Sequence, residues 1–81
     1  MNTNKLCIIQ YTGPIAVGDP IERKRILKER FKRISSYVTV HGGSFDEERI
    51  DVRANTIKAE IPIKYFKKVE QIINKQGFKI L

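Results

Sequence analysis

The chain reads as an α+β domain, a ferredoxin-like βαββαβ sandwich with a four-stranded antiparallel sheet and two helices on one face. Three observations predict it. Short β-rich runs alternate with two segments whose apolar residues recur at helical spacing. The runs come in the order strand, helix, strand, strand, helix, strand. Finally, 81 residues with 41% hydrophobic content make one small domain, residues 1–81, with a thin core. A single sheet covered by two helices is the simplest way to bury both apolar stripes.

Lys5 to Thr12 is the first strand, and its continuous apolar centre, Leu6, Cys7, Ile8 and Ile9, suits an inner position. Gly13-Pro14-Ile15-Ala16-Val17-Gly18 is a loop on its Gly and Pro content. Asp19-Pro20-Ile21-Glu22 starts a helix: Asp19 caps, Pro20 takes the first helical position, and Glu22 completes a capping box. The helix is expected to run to about Ile34 and stop at Ser35-Ser36, with Lys32 and Arg33 near its negative end. Tyr37, Val38, Thr39 and Val40 alternate and are β-rich, so they predict the second strand, fading at His41-Gly42-Gly43. Gly42-Gly43-Ser44 then reads as a flexible connection, and Asp46, Glu47 and Glu48 as its solvated acidic end.

Ile50, Val52 and Ala54 share one parity, and Ile57, Ala59 and Ile61 the other. This phase change at residues 54–56 predicts a β-bulge in one long strand, with a tight turn as the alternative. An extra hairpin near Asn55 would make the sheet five-stranded. Pro62 starts the second helix, striped by Phe66, Val69, Ile72, Ile73 and Gln76. Gly77 stops it, and residues 78–81 form the last strand.

Sixteen Lys/Arg against nine Asp/Glu give +7, which favours anionic partners. Seven of these cations lie between Arg23 and Arg33. On a helical wheel Ile26, Leu27, Phe31 and Ile34 form the buried stripe, and Lys24, Arg25, Lys28, Glu29 and Lys32 lie opposite. Lys24, Arg25, Lys28, Lys32 and Arg33 are therefore the candidate nucleic-acid-binding residues, and phosphate contacts from them would be sequence-independent and salt-sensitive. Glu22 and Glu29 are spaced to pair with Arg25, Arg33 and Lys32 and to cancel part of the charge. Arg23 and Arg30 fall inside the apolar arc. They are expected to snorkel over the sheet edge, or to pair with a carboxylate such as Asp51 or Glu60.

A secondary surface is expected on the open sheet face. If Val38, Val40, Ile50 and Val52 face the helices, then Tyr37, Thr39, His41, Arg49, Asp51 and Arg53 face outward. Tyr37, His41, Arg49 and Arg53 would there stack and clamp single-stranded RNA. The RNA-recognition motif uses this face but needs aromatic residues at alternate positions of its third strand. Arg49-Ile50-Asp51-Val52-Arg53-Ala54 lacks them.

No catalytic or metal-binding set emerges, so an enzyme, a cofactor and a metal are not expected: His41 is the one histidine and Cys7 the one cysteine. Acylphosphatases share the expected fold but need an Arg in the loop after the first strand, and residues 13–18 contain none. Cys7 suits a buried position in a reducing cytoplasm. The opening MNTNK has no signal-peptide apolar stretch, and no segment is long and apolar enough to span a membrane. A cytoplasmic protein without a membrane partner is expected. Residues 58–81 (KAEIPIKYFKKVEQIINKQGFKIL) are similar in layout to the inhibitory propeptides of subtilisin-type proteases: a strand, a Pro-started helix with an apolar stripe, and a Gly-led last strand. That resemblance implies the fold of this half and no activity.

The expectation is a small, basic, non-enzymatic protein that binds nucleic acid, RNA or nonspecific DNA, through its first helix. A second expectation is a protein-interaction module, such as a phage or mobile-element inhibitor or adaptor, docking on an acidic protein surface. That reading rests on association with composition alone. A homodimer is a third, with the acidic loop at residues 46–48 of one copy meeting the basic helix of the other.

Overall fold

The computed structural model describes residues 3–81. Met1 and Asn2, which open the segment read as lacking a signal peptide, lie outside them. Along the chain come β1 (Asn4–Tyr11), α1 (Pro20–Thr39), β2 (Ser44–Asp51), β3 (Thr56–Pro62), a 3-10 turn (Ile63–Tyr65), α2 (Phe66–Asn74) and β4 (Phe78–Ile80). The strands form one antiparallel sheet in the order β2-β3-β1-β4. The α+β expectation with four antiparallel strands and two helices therefore stands, and no fifth strand is found among the described residues.

Leu27, Phe31, Ile34 and Val38 of α1, Val69 and Ile73 of α2, and Ile9, Ile57, Ala59, Ile61 and Phe78 of the sheet form one core cluster. β1 takes the expected inner position between β3 and β4. Its apolar run is nevertheless buried on one side only: Ile9 is fully buried, whereas Leu6 is 74% exposed. An antiparallel sheet with a single covered face leaves alternate residues of even a central strand in water.

The second strand is not where the alternation of residues 37–40 placed it. Tyr37, Val38 and Thr39 are the last turn of α1, and Val40 is its C-cap. Val38 extends the buried series Leu27, Phe31, Ile34 by a further four residues, and this helical register outweighs β propensity. Ser35 and Ser36 do not stop the helix. The Ser35 hydroxyl donates to the Lys32 carbonyl at 2.8 Å, and Thr39 donates to the Ser35 carbonyl at 2.9 Å. The stop is Gly42. At φ +85° it sets up a Schellman turn in which the Gly43 N–H donates to the Val38 carbonyl and the Gly42 N–H to the Thr39 carbonyl. Gly43 is fixed by a different constraint: a Cβ there would lie 2.6 Å from the Glu60 carbonyl oxygen and 2.7 Å from Val38 Cγ1. Because α1 runs this far, Lys32 and Arg33 sit in mid-helix and not at its negative end.

β2 begins at Ser44, so Asp46, Glu47 and Glu48 belong to a strand and not to a loop. The phase change at residues 54–56 is a turn between β2 and β3, not a bulge. The Asp51 carboxylate accepts from the Arg53 N–H at 2.9 Å and the Ala54 N–H at 3.1 Å, and Asn55 adopts φ 58°, a left-handed conformation that Asn tolerates. The register irregularity lies instead within β2. Asp46 faces Lys58 and Ile50 faces Ile57, so residues 47–49 stand without partners on β3. Pro62 ends β3, and α2 follows only after the 3-10 turn.

Candidate nucleic-acid interface

At the start of α1 the cap and the proline stand as expected, but the capping box expected from Glu22 is not found among the described residues, because its carboxylate turns to Arg25. The Asp19 side chain accepts from the Ile21 N–H at 3.4 Å, and Pro20 occupies the first helical position. Glu22 pairs with Arg25: the Arg25 Nε–H donates to Glu22 Oε1 at 2.9 Å, and the guanidinium also bridges toward Glu29 at 3.9 Å. The hydrogen bond from Arg25 holds the Glu22 carboxyl below its ordinary range, and Glu22 in turn holds Arg25 more firmly charged.

Arg25 is thus the locally neutralised member of the candidate set. Lys24, Lys28, Lys32 and Arg33 are exposed, and among the described residues none has an ion-pair partner. The pairs of Glu22 or Glu29 with Arg33 and Lys32 do not form. Lys24, Lys28 and Lys32 are spaced by four residues and make a cationic row about 12 Å long on one flank of α1.

That row borders β2. Lys28, Lys32 and Ser35 on α1 and Glu47 on β2 rim a cavity of about 260 Å³, with Phe31, Phe45, Ile50 and Ile57 lining it below. Phe31 and Phe45 meet edge to face, with ring centroids 6.3 Å apart.

Arg23 and Arg30, the two cations inside the apolar arc, have different roles. The Arg23 guanidinium donates to the carbonyls of Val52 (3.0 Å), Val17 (3.0 Å) and Ile15 (3.4 Å) and to the Asn55 side-chain oxygen. It ties the loop after β1 to the β2–β3 turn through carbonyls and an amide, with no carboxylate involved. Arg30 lies 6.0 Å from the Tyr11 ring centroid, and its Nε is buried without a hydrogen-bond partner. Neither pairs with Asp51 or Glu60.

The secondary surface is not one face. Tyr37 and Thr39 are on α1, His41 is in the turn after it, Arg49 is in the irregular part of β2, and Arg53 is in the β2–β3 turn. Val40, expected to face the helices, is 75% exposed. His41 Nδ1 lies 2.7 Å from the Tyr37 carbonyl oxygen, and its ring sits 5.2 Å from that of Tyr65. This pair borders a cavity of about 650 Å³ that Lys64 also lines. Arg49 approaches Asp46 at 3.8 Å. The open sheet face is built instead from residues that alternate with the core positions: Leu6 and Ile8 of β1, Lys58 and Glu60 of β3, Asp46 of β2 and Lys79 of β4. None of these is aromatic.

Sequence reasoning also missed a second set of cations. Lys64, Lys67, Lys68 and Lys75, on the 3-10 turn, on α2 and just past its end, are all exposed. Counting charge by element, in place of searching for a dense run, would have found them. Eleven Lys/Arg and three Asp/Glu lie in residues 20–39 and 63–75, and five and six lie in the rest of the chain. Positive charge is concentrated in the helical layer.

Cys7 packs against the core, and burial pushes its thiol up to about 11. Among the described residues no group of three or more His, Cys, Asp or Glu side chains could hold a metal ion, and no helix is long and apolar enough to cross a membrane. Comparison with known proteins found no family model, no curated protein and no solved structure that matches this chain.

Proposed function

We propose that this chain is a ferredoxin-like, non-enzymatic nucleic-acid-binding protein that holds RNA or nonspecific DNA by its phosphates on the helical layer. The alternation of strands and helices and the order β2-β3-β1-β4 support the fold reading. The segregation of charge carries the functional one: the helical segments hold eleven of the sixteen cations, and Lys24, Lys28, Lys32 and Arg33 stand exposed without carboxylate partners among the described residues. Unpaired, solvent-facing cations attract a polyanion without distinguishing its sequence. Base readout from the open sheet has no support, because that face lacks aromatic stacking platforms.

Fluorescence anisotropy with a labelled mixed-sequence oligonucleotide at low salt tests the reading. Saturable binding that weakens as salt is added is expected, and no binding at about 50 mM salt overturns it. The exposed Leu6 and Ile8 favour a second reading, in which a protein partner docks on the sheet face. Capture of a partner from lysate that survives nuclease and is lost in Leu6→Lys supports that reading.

A further inference from the structure

The cationic row of α1 runs along an apolar groove, and that juxtaposition narrows the ligand class. We infer that the ligand is single-stranded, with one unpaired base entering the α1–β2 groove while its flanking phosphates rest on Lys28 and Lys32; this inference rests on the proposed nucleic-acid binding. Phe45 and Ile50 are only partly buried and contribute apolar surface to the groove. The irregular register at residues 47–49 frees this part of β2 from β3 beside the opening.

At about 260 Å³ the groove is smaller than the roughly 300–1,000 Å³ of pockets that hold a whole drug-sized ligand, so it suits one ring system. The charge pattern fits a nucleotide presented base-first. The two lysines are placed for phosphate oxygens, while the Glu47 carboxylate can accept from a base amino group and would repel a phosphate pushed deeper. A duplex cannot place a base in the groove without flipping it out of the stack, so it meets the cationic row with its backbone.

The test compares the affinities of one labelled single strand and its duplex, on the wild-type protein and on Ser35→Leu. That substitution fills the groove from the helix side and leaves every cation in place. The single strand is expected to bind about tenfold tighter than the duplex, the size of one base–aromatic contact, and Ser35→Leu is expected to remove that preference without weakening the duplex. Phe45→Ala gives a second reading of the same contact, with circular dichroism confirming its fold. Equal affinity for the two forms, or a preference that survives Ser35→Leu, overturns the inference and leaves the proposed function standing. Absence of binding to either form overturns both. Tighter binding of an acidic aromatic peptide than of the single strand assigns the groove to protein and overturns the inference.

Discussion

The helical layer and the sheet differ in how they neutralise charge. In the sheet, opposite charges are neighbours: Asp46 sits directly across from Lys58, and Arg49 lies near Asp46. A cross-strand pair of opposite charges such as Asp46 and Lys58 is worth about 0.2–1 kcal/mol and leaves little net field. On α1 neutralisation is confined to Arg25, which pairs with Glu22 and Glu29. Among the described residues Lys24, Lys28 and Lys32 repeat at four-residue spacing without ion-pair partners, Glu29 being drawn to Arg25, and each like-charge pair costs about 0.2–0.5 kcal/mol. A fold that only needed a soluble helix would be more stable with Glu at one of these positions. The repulsion is relieved when an anion binds, which is the physical content of the proposed function.

Arg23 is the cation whose loss separates structure from binding most sharply. Arg23→Ala leaves three carbonyls and the Asn55 amide oxygen without their donor, and is expected to destabilise the domain by about 3 kcal/mol in denaturant unfolding. Oligonucleotide affinity of the folded protein should stay within about twofold, since Arg23 lies off the outer face. Arg23→Lys should recover little, because an ammonium lacks the planar fork that reaches several acceptors together. A large loss of affinity with stability unchanged would place Arg23 in the binding surface and break the division drawn here.

The buried side of the sheet makes its own prediction, on pH. The Cys7 thiol is raised to about 11 by burial against an ordinary value of 9.0, so the folded state keeps its proton more tightly than the unfolded chain. The associated stability is fully present below about pH 9 and is lost as pH rises through about 11. Thiolate absorbance near 240 nm, taken as the difference from Cys7→Ser so that the three tyrosines cancel, should therefore develop around pH 11 in the native protein, and near 9 in denaturant. A native midpoint near 9 would show the thiol to be solvated.

Charge removal on the sheet is the control for charge removal on the helix. Replacing Arg49 and Lys58 with Gln should change oligonucleotide affinity by less than about threefold, as Arg49 lies near Asp46 and Lys58 stands across from it. A loss comparable to that from α1 would move the interface to the sheet face. The smallest effect has opposite signs in the two assays. Lys28→Gln removes two like-charge pairs and should raise stability by about 0.4–1 kcal/mol, while lowering affinity. Lower stability in Lys28→Gln would mean that the lysine stem packs against the groove more than its charge repels.

How legible this molecule was in its sequence followed the physics of each element. The start of α1 was readable because Asp19 and Pro20 act locally, and the stripe of α2 because its period is unambiguous. The end of α1 was not. Tyr37, Val38, Thr39 and Val40 satisfy strand propensity, and only Val38, continuing the Leu27, Phe31, Ile34 series to the Schellman turn at Gly42, reveals the helix. Moving that boundary moved the second strand with it. The outward set Tyr37, His41, Arg49 and Arg53 then dissolved, because it assumed one strand parity. The placement of Lys24, Arg25, Lys28, Lys32 and Arg33 on the exposed side of α1 was readable, since a helix face depends on spacing alone. The roles of Arg23 and Arg30 needed tertiary partners that come from Val52, Asn55 and Tyr11, far away in the chain.

The most direct test of the central claim is the slope of log affinity against log salt, for the wild-type protein and for the variant carrying Gln at positions 24, 28, 32 and 33. Four phosphate contacts on a duplex predict a wild-type slope between about −3 and −4, hence roughly a hundredfold loss from 50 to 200 mM salt. The variant is expected to bind far more weakly and to show a slope shallower by about 3. A wild-type slope near zero, or a variant that keeps the wild-type slope and affinity, would contradict the account.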